Sequence, residues 1–297
     1  MPQEIELKLA LGAGAAEALP AHPRLAGIAP VREHLANTYY DTPAGDLERA
    51  RVALRIRRTP DRWLQTLKTA GQGSGGLSTR GEWEWEIPGP ALDLEGLAAL
   101  EPMQALGEPV LASLSPGFTT DFERLSWWLE GPEATIEVAL DNGEVRAGER
   151  RAPIEELELE LELKGGDPAA GAPAALWRLA EDIADTLALR PANTSKAARG
   201  AALRDGRWPL EDAPLPSEAA ARFDRAITAL DALADSGDAR FLGMARAALQ
   251  SLADDTTLPA DPRDSARELA SALDATPWLT PAFGRRSLAL LAALHRR

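Results

Sequence analysis

The chain has no cysteine, which excludes disulfides, thiolate nucleophiles and cysteine metal sites. Its three histidines, His22, His34 and His295, lie outside the best strand patterning, so a zinc centre is not expected. No apolar run is long enough to span a bilayer. The opening residues, Met1-Pro2-Gln3-Glu4-Ile5-Glu6, are acidic, alternate in polarity and do not read as a signal peptide. A soluble, cytoplasmic protein with no membrane partner is expected. The glycine-rich run at 71–76 is not followed by Gly-Lys-Ser/Thr, so there is no Walker loop, and there is no Gly-x-Ser-x-Gly elbow.

Lysine is the most informative shortage. Of 32 basic residues only Lys8, Lys68, Lys164 and Lys196 are lysine. A chain that uses arginine for generic positive charge keeps lysine where a compact ammonium is needed. The net charge of −14 is unevenly spread: residues 207–297 carry 11 basic and 13 acidic side chains, a net of −2, and the first part carries −12. Such a field repels nucleic acid, and none is expected as a partner. A polyanion site in the first part must be a concentrated cation cluster with its own counter-metal.

The patterning divides the chain. Residues 3–11 alternate, with Ile5, Leu7 and Leu9 on one face and Glu4, Glu6 and Lys8 on the other. Residues 52–58 and 63–69 flank Thr59-Pro60-Asp61-Arg62, a hairpin turn. With 37–41, 78–87, 118–129, 133–140 and 154–163 they make roughly eight strands, and Asp141-Asn142-Gly143 reads as a turn. Helices are expected near 13–19, 169–187 and 195–203, with a break at 165–168. After a proline-rich linker, 217–234, 239–252, 264–273 and 281–296 read as four helices. The expected division is residues 1–206 and a helical region, 217–297.

The polar strand faces carry the chemistry. Glu156, Glu158, Glu160 and Glu162 alternate with leucines; Arg55 and Arg57 share a face; Lys68 lies on the next strand; Arg80, Glu82 and Glu84 share another. Four glutamates on one face repel unless cations lie opposite. A closed barrel with a polar lumen accommodates both signs: carboxylates hold a divalent cation, and arginine and lysine hold phosphate oxygens. Hard oxygen ligands suit Mg²⁺ or Mn²⁺.

These residues resemble the CYTH superfamily, the triphosphate tunnel metalloenzymes. The resemblance rests on Glu4-Ile5-Glu6-Leu7-Lys8, Thr38-Tyr39-Tyr40-Asp41-Thr42-Pro43, Leu54-Arg55-Ile56-Arg57 and Thr66-Leu67-Lys68, then Arg80-Gly81-Glu82, Thr120-Asp121-Phe122-Glu123-Arg124, the segment 136–141, the glutamate strand and Ser195-Lys196-Ala197-Ala198-Arg199-Gly200. It is greatest with bacterial inorganic triphosphatases. It implies an α+β fold: an eight-stranded antiparallel β-barrel with flanking helices, followed by an all-α appendage. It further implies that Lys8, Arg55, Arg57, Lys68, Arg80, Arg124 and Lys196 contact a triphosphate, and that Glu4, Glu6, Asp141, Glu158 and Glu160 hold metal. Related enzymes often carry a histidine-rich, basic helical CHAD domain; residues 217–297 are short, slightly acidic and hold only His295.

The implied function is metal-dependent hydrolysis of inorganic triphosphate, a small-molecule substrate, by a monomer or homodimer. An organic triphosphatase acting on thiamine triphosphate, a nucleotide or an RNA 5′ end, an adenylate cyclase, and a non-catalytic polyphosphate sensor stay open. No pocket for an organic group is identifiable from the residues. Because every matched motif precedes residue 206, a chain ending there is expected to keep activity.

Overall fold

The computed structural model describes residues 3–69, 71–74, 76–131, 134–163, 172–208, 210 and 214–295, with no side chain described for a few residues at the edges of these segments, Glu4 among them. Lys164, the break at 165–168 and the start of the 133–140 and 169–187 predictions lie outside these residues.

Ten strands follow in the order β1 (Gln3–Leu11), β2 (Val31–Asp41), β3 (Ala53–Arg58), β4 (Trp63–Lys68), β5 (Gln72–Ser74), β6 (Leu77–Ile87), β7 (Ser115–Glu130), β8 (Ala134–Ala147), β9 (Arg150–Leu163) and β10 (Leu189–Pro191). Eight close a ring, β1-β9-β8-β7-β2-β3-β4-β6, because β1 pairs with both β9 and β6; every pairing is antiparallel. The short β5 and β10 add to β6 and β1. The β3–β4 hairpin turns at 59–62 as expected, with the Thr59 N–H donating to the Arg62 carbonyl at 3.0 Å.

Alternation decides which side chains enter the lumen. On β1, β8 and β9 the outward leucines and valines, among them Leu7, Leu9, Val138, Leu157 and Leu159, are buried against helix α6 (Ala172–Ala184) and the segment holding α1 (Ala15–Ala18). On β3 and β4, Leu54 and Leu67 pack under α2 (Asp46–Arg49), α3 (Leu94–Ala98), α4 (Glu101–Leu106) and α5 (Glu108–Ala112). A sheet covered outside by apolar contacts leaves its charged face pointing inward.

Several sequence expectations change: β2 begins at Val31 rather than 37 and so takes in His34. Helices α3 to α5 carry no long apolar period and escape pattern reading. The 141–143 segment is not a turn: β8 runs straight through it. Gly143 serves close approach instead, since a Cβ there would lie 2.2 Å from the Asp121 carbonyl oxygen and 2.5 Å from the Phe122 Cα. The chain reverses further on, at Gly148, whose φ is +60°.

Helix α7 (Lys196–Asp205) lies against β7, β8 and β9. Its Ser195 N-cap accepts from the Ala198 N–H at 3.2 Å, and Gly200 lets the helix meet the Phe118 ring, which a Cβ would strike at 2.0 Å. Four further helices, α8 (Ala219–Ser236), α9 (Arg240–Ala253), α10 (Ala260–Ala272) and α11 (Pro281–His295), enclose their own core around Phe223, Phe241, Leu249 and Leu269. Leu288 of α11 joins the core beneath α6 and β1 instead. Among the described residues no helix is long and apolar enough to cross a membrane.

Candidate functional site

The ladder registers bring the sequence-selected residues to one lumen. Lys8 of β1 faces Glu158 of β9, Glu6 faces Glu160, Arg124 of β7 faces Asp141 of β8, and Asp141 faces Glu156. A cavity of about 300 Å³ is lined by Lys8, Arg55, Arg57, Lys68, Arg80, Arg124 and Lys196, together with Glu82, Glu84, Glu137, Glu158 and Glu160. Every predicted phosphate contact therefore reaches one space. Asp141, at 0% exposure, lies behind it, and Glu6 lines the adjoining space. Of Glu4 only the backbone is described, opposite Arg80.

Glu158 is the hub. Its Oε1 lies 3.2 Å from Lys8 Nζ and 3.1 Å from Lys196 Nζ, and its Oε2 accepts from Arg124 Nη2 at 2.5 Å. Arg124 also grips Asp141 through two parallel bonds, Nε to Oδ1 and Nη2 to Oδ2, both 2.7 Å. Lys196 sits among Asp141 at 2.7 Å, Glu156 and Glu158, with its Nζ 5.1 Å from the centre of the Phe122 ring. Glu6 takes Lys8 at 3.3 Å and Arg80 at 2.8 Å; Lys68 meets Glu82 at 3.2 Å.

Burial pushes the Glu158 carboxyl up, but Lys196, Lys8 and Arg124 outweigh it and hold it well below the usual carboxylate range. Burial works against the Lys196 ammonium in turn; Asp141, Glu156 and Glu158 overcome it and raise its pKa. Arg57 is the exception. It donates to Asn37 Oδ1 at 2.9 Å, and among the described residues no carboxylate lies within ion-pair distance. Burial, then Arg55 and Arg124, push its pKa down to about 10.

Asp141, Glu156 and Glu158 can each bring a carboxylate oxygen within 4.8 Å of the others. This hard, all-oxygen donor set fits Mg²⁺ or Mn²⁺ rather than a softer ion. Asp141 and Glu158 belong to the expected metal set. Glu156 was visible on the same strand face but had no role assigned; its cross-strand position beside Asp141 depends on the β8–β9 register. Glu6 and Glu160 face each other across β1 and β9, and Glu6 shares the Lys8 ammonium with Glu158.

A second cavity, about 400 Å³, adjoins the first and shares Lys8, Tyr39, Lys68 and Arg80 with it. Its walls include Leu54, Val52, Tyr40 and Phe118, and Tyr39 and Phe118 stack with ring centres 4.6 Å apart.

The fold and lining define a class: a closed antiparallel tunnel whose interior carries opposed basic and acidic side chains. The chain belongs to the CYTH domain family, whose profile matches residues 2–200. An inorganic triphosphatase of Haemophilus influenzae is 40% identical over 170 residues, 54% of this chain and 46% of that protein. The chain thus spans about half the length of that curated relative. Among solved structures, a putative adenylyl cyclase from Hippeastrum, described as having a dominant triphosphatase activity, aligns with a TM-score of 0.48 at 24% identity, covering 70% of this chain and 99% of its own. A putative adenylate cyclase from Bacillus halodurans aligns at 0.36 and 18% identity, over 60% and 91% of the two chains.

Proposed function

We propose that the tunnel binds a linear inorganic triphosphate and, with a divalent metal, hydrolyses it to pyrophosphate and orthophosphate. The observation that carries this reading is the convergence of seven cations, Lys8, Arg55, Arg57, Lys68, Arg80, Arg124 and Lys196, on one 300 Å³ space, with no carboxylate at ion-pair distance from Arg57 among the described residues. A chain of phosphates supplies several anionic oxygens to such a cluster. Arginine forks take nonbridging oxygens two at a time, and the lysines add point charges.

Catalysis of this kind is mainly positioning and charge neutralisation. Asp141, Glu156 and Glu158 would hold the metal, with Glu4, Glu6 and Glu160 as further donors; a bound Mg²⁺ or Mn²⁺ supplies Lewis-acid charge neutralisation. Arg124 orients Asp141 and Glu158, and Lys8 and Lys196 flank the carboxylate end of the site. The residues divide into a tunnel unit, 1–206, and a helical unit, 217–297.

The aromatic second cavity favours one alternative, an organic triphosphate whose ring rests beside Tyr39 and Phe118. Phosphate release with Mg²⁺ from tripolyphosphate, thiamine triphosphate, ATP, pyrophosphate and long polyphosphate separates the readings. Turnover of tripolyphosphate well above the others supports the proposal. Preference for ATP or thiamine triphosphate replaces it with the alternative, and no turnover of any of them sinks both.

A further inference from the structure

Helix α8 turns two carboxylates toward the chain segment that delivers Lys196. Asp231, 6% exposed, accepts from Arg190 Nη1 at 2.5 Å and from the Asn193 N–H, the Thr194 N–H and the Thr194 hydroxyl, each at 2.9 Å. It thereby fixes the two residues before the Ser195 cap of α7. One turn later, Asp235 accepts from Arg199 Nε at 2.9 Å and Nη2 at 2.6 Å. The same guanidinium reaches Glu156 at 3.4 Å, and Glu156 pairs with Lys196. A chain of alternating charge therefore runs from α8 into the lumen: Asp235, Arg199, Glu156, Lys196.

A surface carboxylate that merely glues two regions together has no need of such a line. Arg199 is 9% exposed and Asp231 6%, so both charges are largely withdrawn from bulk solvent. If Asp235 is neutralised, Glu156 is the remaining close ion pair of Arg199 among the described residues, with Asp231 acting on it from farther off, and Arg199 draws Glu156 away from Lys196.

We propose that Asp235 and Asp231 are positioning residues for the tunnel: α8 sets where the Lys196 ammonium stands, so the helical region is part of the site's scaffold. This rests on the reading of Lys196 as a triphosphate contact, although its structural half can be tested without any substrate.

The scarcity of lysine makes that test practical. In full-length protein labelled with ¹⁵N-lysine, only four side-chain ammonium signals exist, and Lys196→Arg identifies the one of interest. Asp235→Asn should shift that signal and leave Lys68 in place, and Asp235→Glu should restore it. In parallel, tripolyphosphate turnover should fall about tenfold in Asp235→Asn, with most of the loss in kcat. In a Lys196→Ala background the same substitution should change little. The exposed pair Arg246–Asp274 provides a control, Asp274→Asn, that should move neither readout.

An unmoved Lys196 signal, or an equal activity loss with and without Lys196, overturns the proposal. If wild-type protein turns over no tripolyphosphate, the functional reading falls and the ammonium signal alone decides the positioning role. Should Asp235→Asn melt well below wild type, Asp231→Asn, at the other α8 carboxylate of the proposal, is judged by the same signal.

Discussion

Lys8 and Lys196, from the two ends of the tunnel sequence, finish on the same atom, Glu158 Oε1, at 3.2 and 3.1 Å. Ring closure through β1 is what makes them neighbours. Lys8 is 4% exposed and Lys196 6%. Replacing either by arginine keeps the charge but puts a wider planar head where a compact ammonium fits among buried carboxylates. Each variant is expected to lose tenfold or more in turnover, about 1.4 kcal/mol of barrier. Each should also lose roughly 1–3 kcal/mol of stability through overpacking. Phosphate release and urea melts check both. Lys164→Arg serves as the comparison. Wild-type turnover in both buried variants would make these lysines replaceable charges.

Arg124 tests the acidic side. Asp141 is fully buried, and Arg124 supplies both of its parallel bonds. Arg124→Leu removes one partner of a buried pair and should cost about 3–5 kcal/mol, read by denaturant unfolding. Arg124→Lys should cost less in stability than Arg124→Leu while still depressing turnover, because an ammonium lacks the two parallel bonds by which the fork grips Asp141. Equal stability of wild type and Arg124→Leu would show that Asp141 needs no such partner.

Metal dependence is addressed by chelation and by Glu158→Gln. EDTA should abolish phosphate release, and Mg²⁺ or Mn²⁺ should restore it. Glu158→Gln, which keeps shape but loses charge, should require more metal for half-maximal rate and reach a lower maximum. A rate indifferent to EDTA would remove the metal from the proposal.

The helical region offers a pH test. Asp255 accepts from the Thr257 hydroxyl at 2.6 Å, from Arg222 and from the Thr257 N–H at 2.9 Å, and these bonds hold its pKa down to about 2. A carboxylate depressed on folding stabilises the folded state above its unfolded pKa near 4, and loses that contribution as pH falls toward 2. The difference in Tm between wild type and Asp255→Asn should therefore be constant above pH 5 and shrink between pH 4 and 2. A difference that grows on acidification would contradict the assignment.

A chain ending at residue 206 now carries a different expectation from the one its motifs suggest. Removing α8 to α11 takes Asp231 from Arg190 and Asp235 from Arg199 and uncovers the apolar surface under Leu288. Such a chain should melt lower than the full protein and release phosphate more slowly. A truncated chain with full activity would show the helices to be dispensable.

The lumen was legible because alternation is local: Glu4 to Lys8, Arg55 with Arg57, and the glutamate strand declare their faces within a few residues. Pattern could not supply what depends on register and closure. Gly143 resembles a turn residue until β7 is known to press on it. Glu156 acquires its importance only from lying opposite Asp141, and Asp231 and Asp235 are ordinary helix aspartates until α8 meets the strand that leads to Lys196. Helices α3 to α5 are too short to establish a period.

The pairing of Lys8, Arg124 and Lys196 with Glu158 makes the tunnel lining its own salt. An arriving polyanion and an arriving metal each find their partners already engaged with one another. Either alone must break ion pairs and leave the other sign uncompensated, whereas both together exchange old pairs for new ones. On the proposed function, occupancy of this lumen is an ion exchange, and the affinity measured for one solute should depend on the concentration of the other.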